Sequence, residues 1–192
     1  MDEIVGALQR GGVVVLPTDT VYGLAALPTS SAAVERLFAL KGRAAEVPVA
    51  VLCADAAQAL ALAEPTPGAA VVAERYWPGP LTLVLPRRAE VDIHLGEPHH
   101  TIGLRVPDHE LVRAVAMQVG PIAVTSANRH GEPTAPTARG AAGSLTGDVD
   151  LVVDGGRLEA SASTVVDATT RPWTARRHGP IDPTEVIATG IT

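Results

Sequence analysis

Thr18, Asp19, Thr20 and Tyr22 crowd into five residues, closed by Gly23, directly after the apolar run Val13-Val14-Val15-Leu16. The run is β-branched except for its last residue and reads as a buried strand. Pro17 removes a ladder donor and ends it. Hydroxyls and a carboxylate held at a strand end have the donors and acceptors of a ligand site. The same residues also make an ordinary polar turn in which Asp19 caps its own backbone. Three further polar clusters sit at strand or helix ends: Lys41 with Arg43, Thr125 to Asn128, and Ser163 with Thr164. Arg105 lies on a strand among apolar neighbours and Arg177 at the end of another, and arginine is rarely buried unpaired. Gathered in one cleft, these groups make an anion site. Arginine forks suit carboxylate and phosphate, and a lysine point charge suits phosphoryl oxygens.

Of the fifteen basic residues, fourteen are Arg and one, Lys41, is Lys. The chain is rich in Ala, Gly, Pro and Arg, so a position that keeps its ammonium needs a compact, strongly hydrated charge with rotatable donors, unless it is a surface lysine that survived by chance. Common phosphate motifs are absent: there is no G-x-x-x-x-G-K-[ST] and no G-x-G-x-x-G, and Gly11-Gly12 precedes a strand. No Cys/His set has zinc spacing, and His99-His100 reads as a solvated loop. Ser126 lacks a G-x-S-x-G elbow.

The elements that must position these groups alternate. Asp2 is placed to cap a helix stopped by Gly11-Gly12, and Ser30 and Ser31 cap one that ends near Gly42. A cation at that second end, Lys41, also suits the helix dipole. Val47 to Cys53 reads as a strand, Asp55 caps a helix to about Ala63, and another helix spans roughly residues 68–76. Strands follow at 81–85 and 101–106, the latter leading to a helix over 109–119 capped by Asp108, then a short strand 122–124. Residues 86–100 read as an irregular, mobile surface loop. Strands then bunch: 151–153, 164–166 and 173–176, with a last helical turn after Pro183. Alternation followed by bunching predicts an α/β domain with a mixed sheet.

At 192 residues the chain is read as one domain with a full core. Apolar residues are 46% and aromatics 3%, so that core is built from Val, Leu, Ala and Ile. A net charge of −6 argues against a surface that grips nucleic acid throughout, though not against a local basic cleft. Cys53, the only cysteine, reads as a small core hydrophobe. Without a basic, apolar leader or a run of about 20 apolar residues, the expectation is a soluble cytoplasmic protein with no membrane partner.

The segments Pro17 to Leu24, Lys41-Gly42-Arg43, Trp77 to Thr82, Thr101 to Pro107, Thr125 to Asn128, Ser163 to Asp167 and Arg177-His178-Gly179 occur in the order seen in the YrdC-like family. From about residue 4 to 182 the chain resembles these threonylcarbamoyl-AMP synthases. The resemblance implies a twisted mixed α/β sheet, flanked by helices, with a large concave basic groove. It also implies the short form, a single domain over residues 1–192. The implied reaction joins L-threonine, bicarbonate and ATP into threonylcarbamoyl-AMP and pyrophosphate, with Mg²⁺ bridging ATP phosphates and few protein ligands. The product goes to a downstream machinery that modifies tRNA; direct tRNA binding is left open. By position, the resemblance places Lys41, Arg43, Ser126 and Asn128 at the ATP phosphates. It places Thr20, Arg105 and Ser163 at threonine, and Thr101, Thr134 and Arg177 on the nucleotide side. Ala44, Val47 and Leu52 depart from residues common at those positions in the family. Two alternatives stand beside it: an RNA-binding module of the same fold, and a carbamoyl-transfer domain of the kind found inside larger maturation proteins.

Overall fold

The structure is a computed structural model and describes residues 1–42, 48–64, 66–97, 99–159 and 161–191. In chain order the elements are α1 (Asp2–Gln9), β1 (Val14–Leu16), β2 (Gly23–Ala26), α2 (Ser31–Lys41), β3 (Ala50–Leu52), α3 (Ala56–Leu60), α4 (Ala69–Tyr76) and β4 (Leu81–Pro86). There follow β5 (Thr101–Arg105), α5 (Glu110–Val119), β6 (Ile122–Ser126), α6 (Ala138–Gly143), β7 (Leu151–Val152), β8 (Thr164–Asp167), β9 (Thr174–Arg177) and α7 (Pro183–Ile191). Among the described residues the strands form one nine-stranded sheet in the order β7-β1-β2-β6-β3-β5-β4-β8-β9. Pairs β1–β7, β3–β5 and β4–β8 are parallel and the rest antiparallel, so the mixed sheet expected from the pattern is observed.

The strand period of two decides which side is core and which is site. Leu81, Leu83 and Leu85 of β4, Ile102 and Leu104 of β5 and Val166 of β8 all join one large core cluster. Their alternates Thr82, Val84, Thr101, Gly103, Val165 and Asp167 line a cavity on the opposite face. That opposite face is covered elsewhere: Val14 and Leu16 of β1 and Ile122 of β6 pack with Leu8 of α1 and Val112, Val115 and Ala116 of α5 into a second cluster. A mixed sheet needs cover on both faces, and here α1 and α5 cover one part of a face while the remainder is the hollow.

Several local expectations change. Asp2 lies inside the first turn of α1, whose N-cap is Met1, and α5 has His109 at its N-cap position with no side-chain cap, so neither Asp2 nor Asp108 caps a helix. Strand β2, Gly-Leu-Ala-Ala, carries no strand signal of its own, because glycine and alanine have little strand preference; it exists by pairing with β1 and β6 on either side. Thr125 and Ser126 belong to β6 itself rather than to a loop after it. Helix α7 runs nine residues, not one turn. Around residues 93–95 the connection is anchored, with Leu95 buried, its carbonyl accepting from the Val49 amide (3.1 Å), and the His94 amide donating to the Pro28 carbonyl (2.8 Å).

Candidate active site

The cavity holds about 810 Å³ and draws on both ends of the chain, from Thr18 to Arg177. Lys41, Ser126, Asn128, Thr20, Arg105, Ser163, Thr101 and Arg177 all line it. Thr134 does not, but its hydroxyl donates to Asn128 Oδ1 at 3.3 Å, behind the wall. Arg43, Ala44 and Val47 lie outside the described residues.

Helix α2 aims Lys41. The Ser30 hydroxyl accepts from the Ala33 amide (3.3 Å) and starts the helix, and Gly42, in the left-handed region at φ 61°, ends it one residue after the lysine. Lys41 is only 3% exposed. Its ammonium donates to the Ser126 carbonyl (2.7 Å) and hydroxyl (3.2 Å), and to the Asn128 carbonyl (3.2 Å) and Oδ1 (3.1 Å). In return the Lys41 carbonyl accepts from the His130 amide at 2.9 Å. The Asn128 amide group donates to the carbonyls of Arg129 (2.8 Å) and Glu132 (2.6 Å), which fixes its Oδ1 toward the lysine. The last helical turn and the end of β6 are thereby tied into one cationic corner.

Arg105 ends β5 and reaches the loop after β1. Its Nη2 donates to Asp19 Oδ1 at 2.6 Å, its Nη1 to the Thr20 hydroxyl at 3.0 Å, and its Nε to the Gly79 carbonyl at 3.1 Å. Gly79 is held in turn by its own amide on the Val106 carbonyl (2.8 Å), and Trp77 Nε1 donates to Leu81 (2.8 Å), so the Trp-Pro-Gly-Pro turn braces the guanidinium. The Thr18 hydroxyl donates to the Val21 carbonyl (2.7 Å) and accepts from the Thr20 amide (3.1 Å), closing the polar turn. Burial lowers the proton affinity of Arg105, and the Asp19 charge and hydrogen bond partly offset it. Asp19 Oδ2 is buried with no partner among the described residues.

Arg177 comes from the opposite edge. Its Nε donates to the Ser163 carbonyl (2.8 Å) and its Nη2 to the Ser163 hydroxyl (2.9 Å), which also bonds the Thr82 hydroxyl at 2.9 Å. Burial, and then the like charge of Arg105, lower the proton affinity of Arg177. The guanidiniums of Arg105 and Arg177 therefore face one hollow, and an anion between them relieves their repulsion.

A family model naming Sua5, YciO and YrdC, with the description "Telomere recombination", matches residues 6–179. The chain belongs to the Sua5/YciO/YrdC family. A Mycobacterium leprae relative is 39% identical over 179 residues, 92% of this chain and 81% of its own length. The threonylcarbamoyl-AMP synthase of Pyrococcus abyssi is 37% identical over 177 residues, 91% of this chain and 52% of that one. The crystal structure of P. abyssi Sua5 complexed with L-threonine superposes with a TM-score of 0.89 at 35% identity, covering 97% of this chain and 56% of that chain. The chain thus spans about half the length of these archaeal relatives.

Family membership does not by itself supply a metal cage. Among the described residues no three His, Cys, Asp or Glu side chains gather around a point. The Asp167 carboxylate on the cavity wall is taken by Arg176, and Asp19 by Arg105. Each of these carboxylates is thus paired with a guanidinium, although the second oxygen of Asp19 has no partner among the described residues. No helix among the described residues is long and apolar enough to cross a membrane.

Three positioning groups carry no assignment from the sequence: Asp19 as the partner of Arg105, the Gly79 carbonyl, and Thr82. The cue for Asp19 was its place between two candidate threonines. The carbonyl left no cue, because backbone contacts carry no residue signature.

Proposed function

We propose that this protein is a threonylcarbamoyl-AMP synthase, forming threonylcarbamoyl-AMP and pyrophosphate from L-threonine, bicarbonate and ATP, in the cytoplasm, for the threonylcarbamoyladenosine modification of tRNA. One observation carries the reading. The Lys41, Ser126 and Asn128 corner and the Thr20, Arg105 and Ser163 group open into the same 810 Å³ hollow. A relative of the same fold, with a TM-score of 0.89, is solved with L-threonine.

The threonine amine adds to bicarbonate, losing water, and gives a carbamate. A carbamate oxygen attacks the α-phosphorus of ATP, the P–O bond to the β-phosphate breaks, and pyrophosphate leaves. Neither step requires a covalent enzyme nucleophile; positioning and neutralisation of charge are sufficient. Arg105 takes the threonine carboxylate with the N–H groups that Asp19, Thr20 and Gly79 leave open. Ser163 and Thr20 flank the amino acid. Lys41, Arg43, Ser126 and Asn128 form the phosphate side, with Thr101 and Arg177 along the nucleotide and Thr134 steadying Asn128. Mg²⁺ would enter with the triphosphate as part of the substrate, with few protein ligands. The product passes to a tRNA-modifying transfer machinery.

Incubating the purified protein with Mg·ATP, bicarbonate and L-threonine tests this reading. Pyrophosphate release that depends on threonine, with threonylcarbamoyl-AMP found by mass spectrometry, is the expected result. Pyrophosphate release indifferent to threonine, or none, overturns it.

A further inference from the structure

We propose that Arg176 is a nucleotide-contacting residue, its planar guanidinium forming the wall against which the base of the nucleotide stacks, with Asp167 as its positioning residue. With ATP as the substrate proposed above, the phosphates and the amino acid have partners in the corner of Lys41 and the group of Arg105, and the base has none assigned.

Consecutive residues of a regular strand point to opposite faces. Arg176 and Arg177 are consecutive in β9, yet both line the cavity. A β-bulge is the cause: Val165 pairs with Arg177 but Val166 pairs with Ala175, so Arg176 is the extra residue. Bulges of this kind re-aim a side chain beside a site. Arg176 Nε and Nη2 donate to Asp167 Oδ2 at 3.0 and 2.6 Å. Asp167 is itself fixed, its Oδ1 accepting from the Thr169 amide (3.0 Å) and hydroxyl (2.6 Å). The Asp167 side chain is 11% exposed, while that of Arg176, docked on it along one edge of the guanidinium, is 65% exposed and is among the residues lining the cavity.

Charge separates the two arginines. Arg177 meets the neutral oxygens of Ser163 and stays an anion partner. Arg176 is neutralised by a carboxylate, which suits a flat, weakly hydrated ring better than a phosphate. The floor beside it agrees: Gly103, Val84 and Asp167 stand side by side across three strands. Gly103 and Val84 offer no polar side-chain group. Two strand spacings span about 10 Å, the breadth of a purine.

Calorimetry of the full chain with ATP, and separately with inorganic tripolyphosphate, tests this. Arg176→Ala and Arg176→Lys should each weaken ATP about tenfold, because lysine keeps the charge but loses the plane, and should leave tripolyphosphate within twofold. Asp167→Ala should give the same split. Full ATP affinity in Arg176→Lys with loss in Arg176→Ala would make Arg176 a simple charge contact and overturn the proposal, as would unchanged ATP affinity in both. Equal loss of ATP and tripolyphosphate binding also overturns it. A wild-type protein that binds neither ligand refutes the ATP reading itself.

Discussion

The Lys41 ammonium lies 3.2 Å from the Asn128 carbonyl oxygen and 3.1 Å from its side-chain Oδ1, so one residue presents two acceptors to the same cation. The lysine is therefore part of the architecture of the corner as well as of its charge. Lys41→Ala leaves buried acceptors unmet, and each such group costs about 1–3 kcal/mol. The urea midpoint should fall, and threonine-dependent pyrophosphate release should drop at least about a hundredfold. Lys41→Arg keeps the charge but spreads it over a plane that cannot converge on these oxygens, so turnover should fall as well. Wild-type turnover in Lys41→Arg would remove the reason for the single lysine.

Arg105→Lys should raise the KM for threonine between about ten- and a hundredfold, since a point charge cannot meet Asp19, Thr20 and Gly79 and still grip a carboxylate. The KM for ATP should stay within about twofold, the size of ordinary scatter on a scale where 1.4 kcal/mol is tenfold. Steady-state kinetics with each substrate varied in turn decides it; a rise confined to ATP would place threonine elsewhere.

Ser163→Ala removes the hydroxyl that links Arg177 to Thr82. One lost hydrogen bond of this kind is worth about 1–1.5 kcal/mol, so the thermal midpoint should fall by a few degrees, and kcat/KM should fall roughly tenfold as the link between Arg177 and Thr82 is lost. Ser163→Thr, which restores an oxygen, should recover part of the loss.

Acid should weaken the fold through Asp167. Burial pushes this carboxyl up, but the Thr169 hydroxyl and amide and the Arg176 guanidinium outweigh burial and hold it below its ordinary 3.8. Asp150 is likewise raised by burial and, more strongly, lowered by the Val13 amide and Arg36. A carboxyl depressed in the folded state contributes stability that is complete above the unfolded value of about 4 and is lost as pH falls through the folded value. Denaturant unfolding followed below pH 4 should show this loss, and Asp167→Asn should make the slope shallower.

Cys53 is fully buried, and burial followed by the Asp55 charge pushes its thiol up to about 12. A thiol this weakly acidic stays protonated at neutral pH and does not attack electrophiles. Native protein should be inert to a disulfide reagent at pH 8 and react fully once unfolded in guanidinium.

Much of the frame was legible because its signals are local. Ser30 and Asp55 cap their helices as their positions predicted, Gly42 takes the left-handed turn, and the alternation in Leu81 to Leu85 divides core from cavity. What was not legible depends on partners distant in the chain. Strand β2 is made by its neighbours, not by its small residues. Asp19 reads equally as a turn cap until Arg105, 86 positions later, arrives on it. Residues 86–100 look loose in sequence because Val91, Ile93 and Leu95 are interleaved with charged and polar residues, yet Leu95 is buried. The direction of Arg176 was hidden most deeply, since a bulge leaves no mark in a four-residue strand.

The sheet order carries a consequence for how the protein comes into being. Lys41, Asn128 and Arg105 are synthesised well before Ser163 and Arg177, which arrive with β8 and β9 on the far edge. A growing chain that has emerged only to residue 150 carries the residues of the cationic corner but not those of the opposite wall. Because long-range pairing comes last and slowly, substrate affinity should switch on in a single late event, when β8 docks on β4.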